Sequence, residues 1–211
     1  MKIRERGVKP QSSIYFHTPN EVDRKLFLFP TSCGHYFCDA QYRVYRERYL
    51  KYLILYVQDG QGYVYVNKHK TPLFKGDVFL LDCYNHHVYG TESGLEMEIL
   101  WVHFDGMMAD NYFKTITRGA NCTVLSPRDT QNIYNNLYNI YEQFHEKKAV
   151  SEILNNKYIV NILTDFLLDN SGFSDRKDTI RDDLLAYITD NIQLPLKLEE
   201  LAERASPTTN A

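Results

Sequence analysis

The chain has 211 residues, enough for one full domain and part of a second. It is 44% hydrophobic and 24% charged, as ordinary globular proteins are, and no run nears the roughly 18 to 20 apolar residues of a membrane-spanning helix. A net charge of −3 and a pI of about 6.2 argue against a chain that is mainly a nucleic-acid-binding surface.

The opening, "MKIRERGVKPQSS", carries charge but no apolar core, so it does not read as a secretory signal. A cytoplasmic protein with no membrane contact is the expectation. Cys33, Cys38, Cys83 and Cys122 are then expected as reduced thiols. Cys33 and Cys38 lack C-x-x-C spacing, which favours buried small side chains over a zinc or redox pair. The 17 tyrosines fit two readings, strand propensity or pockets for polar small molecules.

From about residue 14 to 106, short apolar runs alternate with turn residues. "YLILYV" (52–57) predicts a strand, "QDGQG" a turn, "YVYV" (63–66) a second strand and "NKHK" a hairpin loop. "FKGD" (74–77) predicts a turn into "VFLL" (78–81), and "LEMEILWVHF" (95–104) another strand. Short strands at this spacing indicate an all-β sandwich or barrel.

The pattern changes at "LSPRD". Ser126 can cap a helix whose first position is Pro127, followed at helical spacing by Ile133, Leu137, Ile140, Tyr141 and Phe144. After "EKKAVS" a second helix carries Ile153, Tyr158, Ile159, Ile162, Leu163, Phe166 and Leu167. Two such helices suit an antiparallel hairpin packed on the barrel, on a second copy of the chain, or on both. The stripes Ile133, Leu137, Ile140, Phe144 and Ile159, Ile162, Phe166 suggest a symmetric homodimer contact. "DNSGFSDRKD" (169–178) reads as a linker. Thr179 with Asp182 then caps a third helix with Ile180, Leu184 and Ile188 on its apolar stripe, and "PLKLEELAERA" begins a fourth.

"CYNHHVYG" (83–90) places His86 beside His87. Adjacent strand residues face opposite sides, so the pair cannot line one cavity together. An interior metal site would need an early pair of inward ligands separated by one residue, and "YLILYV" offers neither histidine nor acid. The expectation is therefore no metal, no cofactor and no catalytic residue. By strand alternation Ile99, Trp101 and His103 share one face.

Several stretches together resemble the AraC family of bacterial transcription regulators: "YFHTPN", "SCGHYFCDAQYRVYR", "YLILYVQDGQGYVYVN", "FKGDVFLLDCYNHHVYG" and "LWVHFDG". The last two weigh most, because G-D before a hydrophobic strand, then H-x-Y-G and W-V-H-F-x-G, is a specific order. "DDLLAYITDNIQLPLKLEELAERA" looks like the opening of the family's two-unit helix-turn-helix domain. The resemblance implies a mainly β fold with α: a cupin-like (jelly-roll) β-barrel with an N-terminal arm (1–125), a helical dimerisation hairpin (126–169), a linker (170–178) and the first helices of a DNA-binding domain (179–211). It implies a small-molecule effector, often a carbohydrate, a homodimer, and promoter DNA and RNA polymerase as partners of the full-length protein. Lys197 stands where the family usually has a Ser or Thr cap, and the reading helices are not within these residues, so residues 1–211 are not expected to bind an operator specifically. By correspondence, Arg46, Tyr89 and Trp101 would contact the effector, with His87, Ile99 and His103 beside them. A guanidinium serves hydroxyls or carboxylates, and aromatic faces stack on a sugar ring. Some sugar sensors carry a histidine where this chain has Ile99, which can donate nothing, so the resemblance does not fix the effector as a sugar. The alternative expectations are a metal-dependent cupin enzyme, such as a sugar isomerase, or a stand-alone binding module.

Overall fold

The computed structural model describes residues 5–125, 130–147, 149–171 and 187–188. The chain divides into two compact units, Met1–Leu167 and Leu168–Ala211. In chain order the elements are β1 (Ser13–Phe16), α1 (Glu21–Leu26), β2 (Phe29–Cys38), β3 (Arg43–Arg46), β4 (Tyr52–Val66), β5 (His69–Phe74), β6 (Val78–Asp82), β7 (His87–Thr91), β8 (Met97–Asp105), α2 (Ala109–Thr117), β9 (Cys122–Leu125), α3 (Gln131–His145) and α4 (Glu152–Ser171). The fold is mainly β with α, a cupin-like barrel followed by helices.

"QDGQG" does not make the predicted turn. Tyr52–Val66 is one strand of 15 residues that serves two layers. Its first half pairs with β6 and β8, and its second half with β5 and β7. The change of layer occurs at a register shift between Val57 and Asp59. Gly60, with φ +82°, follows at once, and a Cβ there would lie 2.0 Å from the Glu96 carbonyl oxygen. A bulge and a glycine bend a strand without ending its ladder, which local sequence cannot distinguish from a hairpin turn. The first layer runs β1-β2-β8-β4-β6-β9, and the second joins β3, β7, the end of β4 and β5. The "NKHK" loop shrinks to Asn67 and Lys68, both at positive φ, the two-residue turn that strand twist favours.

The continuous apolar runs follow from burial on both faces of the first layer. Leu53, Leu55, Phe79, Leu81, Ile99 and Trp101 point into the barrel. Tyr52, Ile54, Val78, Leu80, Leu100, Val102 and Phe104 point the other way, against the helices. α2 and β9 had no clear signal in the sequence, yet Phe113 and Ile116 of α2 belong to this second core.

Ser126 and Pro127 lie outside the described residues, and the helix they were expected to open begins only at Gln131. Thr130 precedes it and donates its hydroxyl to the Gly76 carbonyl at 2.9 Å, tying the helix start to the barrel. A polar seam joins the hairpin: Asn132 to Asp165 at 2.6 Å, Asn161 to Asn136 at 3.2 Å and Gln143 to Asn155 at 2.9 Å. β1 docks on α3, with Ser13 and Tyr15 hydroxyls on Tyr141 and His145, and His17 pairs with Glu152 of α4. α4 runs past the expected end at 169. Thr179, Ile180, Asp182, Leu184 and residues 189–211 lie outside the described residues, whereas Tyr187 and Ile188 are helical.

The proposed dimer stripe needs correction. Ile133, Leu137, Ile140, Ile159, Ile162 and Phe166 are at most 1% exposed within a single chain, and Phe144 is partly buried against the same cluster. They fill the core between helices and barrel, so they are not free to meet a second copy. Ile153, assigned to the apolar stripe, is instead 69% exposed. Leu137→Ala should therefore destabilise the chain by about 2–5 kcal/mol, the usual result of a large-to-small core change. Urea melts at several protein concentrations check this: the loss should be the same at each, and a loss that shrinks with concentration would point to an intermolecular contact.

Candidate functional site

Inside the barrel, between the two layers, lies a small cavity of about 60 Å³. Tyr36 reaches it from β2, Arg46 from β3, Tyr89 from β7, and Trp101 and His103 from β8, with Tyr49 closing one side. Alternation places each of these inward. Val44 and Arg46 face in while Tyr45 is exposed, and Ser32, Gly34 and Tyr36 share the inner side of β2. Trp101 stands opposite Gly34 and Leu55 in the ladders. A Cβ on Gly34 would come within 2.7 Å of the indole, so the ring lies where only glycine leaves room.

The sequence singled out Arg46, Tyr89, Trp101 and His103, and the fold brings all four to this cavity. Ile99 and His87 are fully buried but are not among its walls. His87 bonds through Nδ1 to the Asn85 carbonyl at 2.7 Å and lies parallel to Tyr89, with ring centres 6.2 Å apart. His86 faces the other way and packs on exposed Tyr45. The sequence reading missed Tyr36, Tyr49 and Ser32. The usable signal was the alternation in "SCGHY", where a glycine sits between two polar residues of one face.

The walls carry unmet hydrogen-bonding capacity. Tyr36 Oη, Arg46 Nη1, Trp101 Nε1 and His103 Nδ1 are buried without a partner, as is His87 Nε2 just behind. Such groups are costly unless something satisfies them. The Arg46 guanidinium lies over the Tyr49 ring, 4.7 Å from its centre, and no ion pair of Arg46 with Glu47 or Asp39 is formed. Burial, helped by the Arg46 charge, pushes the His103 imidazole down to about 3. Burial likewise lowers His87 and raises Tyr36 and Tyr89. At neutral pH both histidines and both phenols are therefore uncharged.

A larger groove of about 940 Å³ lies on the outer face of the second layer, between Arg43, Tyr45, Tyr63, Tyr65 and His86. Its polar groups reach water, so nothing there demands a ligand as the interior does. Among the described residues no three His, Cys, Asp or Glu side chains gather as a metal ion would need. Cys33, Cys38 and Cys83 are buried free thiols, and Cys122 is a partly exposed one. No described helix is long and apolar enough to cross a membrane.

Residues 29–163, the barrel and most of the helical hairpin, match the AraC-like ligand binding domain. The chain belongs to that family. It is 31% identical over 83 residues to the MmsAB operon regulatory protein of Pseudomonas aeruginosa, a match covering 37% of this chain and 27% of that protein. It is 30% identical over 98 residues to the Msm operon regulatory protein of Streptococcus mutans, covering 45% and 34%. The matched stretches thus span about a third or less of these relatives. A cupin superfamily protein from Desulfitobacterium hafniense is similar in structure, with a TM-score of 0.34 and 13% identity, covering 49% of this chain and 82% of that one. A likeness that remote says nothing of function.

The low proton affinity of His103 sets a pH dependence. A free imidazole protonates near pH 6.5, whereas His103 in the folded chain resists until about 3. Between those values the unfolded chain binds more protons, so this histidine makes stability fall as pH drops from 6.5 toward 3. His103→Gln removes that contribution. Denaturant melts from pH 7 downward should show a shallower acid slope in the variant, and parallel slopes would contradict the assignment.

Proposed function

We propose that the chain is the effector-sensing part of a transcription regulator, and that its effector is a sugar or related small polar molecule held in the barrel cavity. The observation that carries this reading is the set of unpartnered buried atoms on Tyr36, Arg46, Trp101 and His103 around one interior space. A barrel that needed only stability would fill that space with apolar side chains. This one keeps a guanidinium, an indole N–H and an imidazole nitrogen there, groups that fix the orientation of a polar ligand. Membership of the AraC-like ligand binding domain family and the names of two operon regulatory relatives support the same reading.

The ligand acts here without covalent chemistry. A space of about 60 Å³ holds about two waters, at roughly 30 Å³ each in the liquid. An effector larger than that must move part of the wall, and the side it moves would carry the signal. In the whole regulator the helices after the barrel would transmit that shift to a homodimer, to promoter DNA read by helix-turn-helix units, and to RNA polymerase. A homodimer would use surface that α3 and α4 leave exposed, such as Tyr138, Ile153 and Leu154, rather than the buried stripe.

A thermal-shift screen of sugars and related polar molecules tests the proposal. A ligand at about 100 times its dissociation constant should add about 2.7 kcal/mol of stability. Arg46→Met keeps the side-chain stem and deletes the donors, and should weaken the effector by about 1–3 kcal/mol in calorimetry on the folded variant. Unchanged affinity would remove Arg46, and with it this cavity, from the effector site.

A further inference from the structure

We propose that the cavity's occupant is a short hydroxy acid, a molecule with one carboxylate and at least one hydroxyl, rather than a neutral sugar. The proposal rests on the reading of the cavity as the effector site and adds the chemical class.

Charge is the first argument. Burial keeps His103, Tyr36, Tyr42 and Tyr89 in their neutral forms. Of the charged groups on the walls, that leaves Arg46 and Glu5. Glu5 is exposed at the edge and forms no ion pair with Arg46. The guanidinium therefore presents a positive charge to the cavity with Nη1 buried and unbonded. A carboxylate meets that need in a way a neutral hydroxyl does not, since charge-assisted bonds are about twice as strong as neutral ones.

The donor and acceptor inventory is the second. Arg46 Nη1 and the indole Nε1 of Trp101 can only donate. Neutral His103 has one N–H and one bare nitrogen. Its Nδ1 is buried without a partner. That nitrogen donates or accepts according to the tautomer, and the Tyr36 hydroxyl can take either part. A carboxylate accepts from Arg46 and Trp101, while a neighbouring hydroxyl, both donor and acceptor, can pair with His103 and Tyr36. A simple carboxylic acid brings no hydroxyl for His103 and Tyr36, and a neutral polyol leaves the Arg46 charge unmet. Size is the third: any organic effector must move part of the wall around about 60 Å³, and a chain of few carbons moves less of it than a hexose ring.

Trp101 is the chain's single tryptophan, so its emission reports on this cavity alone. The test titrates residues 1–211 with glycerate, glycerol and propionate, following tryptophan emission and calorimetric heat. Glycerate should change the emission and bind at least about tenfold more tightly than glycerol, which lacks the charge, and than propionate, which lacks hydroxyls. Arg46→Met should erase the preference over glycerol. If that variant does not fold by circular dichroism, Arg46→Lys replaces it, and should keep a weakened preference for the acid because charge remains but the planar fork is lost. Glycerol or propionate binding as tightly as glycerate, or no binding of glycerate, overturns the hydroxy-acid assignment. A neutral sugar that binds and alters Trp101 emission leaves the effector cavity standing and removes only the acid. An effector that stabilises the chain without altering that emission, and is indifferent to Arg46→Met, overturns both.

Discussion

The structure depends on the bend in β4. One strand of 15 residues lies in both layers because the ladder slips at Val57 and Asp59 and Gly60 absorbs the turn. From that bend follow the closure of the barrel, the facing of β3 and β7 against β8, and the meeting of Arg46 and Tyr89 with Trp101 and His103. Had "QDGQG" formed an ordinary hairpin turn, Tyr63–Val66 would have returned along Tyr52–Val57 within one sheet, leaving no space between two.

Burial on both faces divides the first layer's labour. Its inner side lines the cavity, and its outer side carries α2, α3 and α4 on a second apolar core. The two cores share the strands β4, β6 and β8, whose residues alternate between them. A shift at Trp101 or His103 is therefore one peptide away from Leu100, Val102 and Phe104, which touch the helical core. This continuity gives a physical route from cavity to helix, because close-packed interiors transmit small displacements.

The cavity combines features that stability alone would not select. Neutral imidazole, phenol and indole groups surround a guanidinium in a space too small for bulk water to relieve them. Burial pushes the imidazole and the phenols toward the uncharged state, and at His103 the Arg46 charge adds to it. The outer groove has more tyrosines and more room but none of this tension, since its groups are wet.

Much of this was legible in the residues. Period-two alternation put Ile99, Trp101 and His103 on one face, separated His86 from His87, and announced an all-β domain before two helices. Arg46, Tyr89, Trp101 and His103 could be named, though only through resemblance to a family, because no local pattern says that residues 46, 89 and 101 meet. Tyr36 and Tyr49 stayed hidden for the same reason: their place depends on ladder register between strands far apart in the chain. The helical stripes show the limit most clearly. Periodicity identified Leu137, Ile140, Ile159 and Ile162 as apolar and co-facial, which local geometry does determine. It could not say whether that face meets this chain's barrel or another copy, since an apolar stripe is equally well buried by either. The same holds for "QDGQG", whose glycines permit a turn or a bulge. Local sequence sets which conformations are allowed, and only the tertiary partners, Glu96 across the bend and the barrel beneath the helices, select among them.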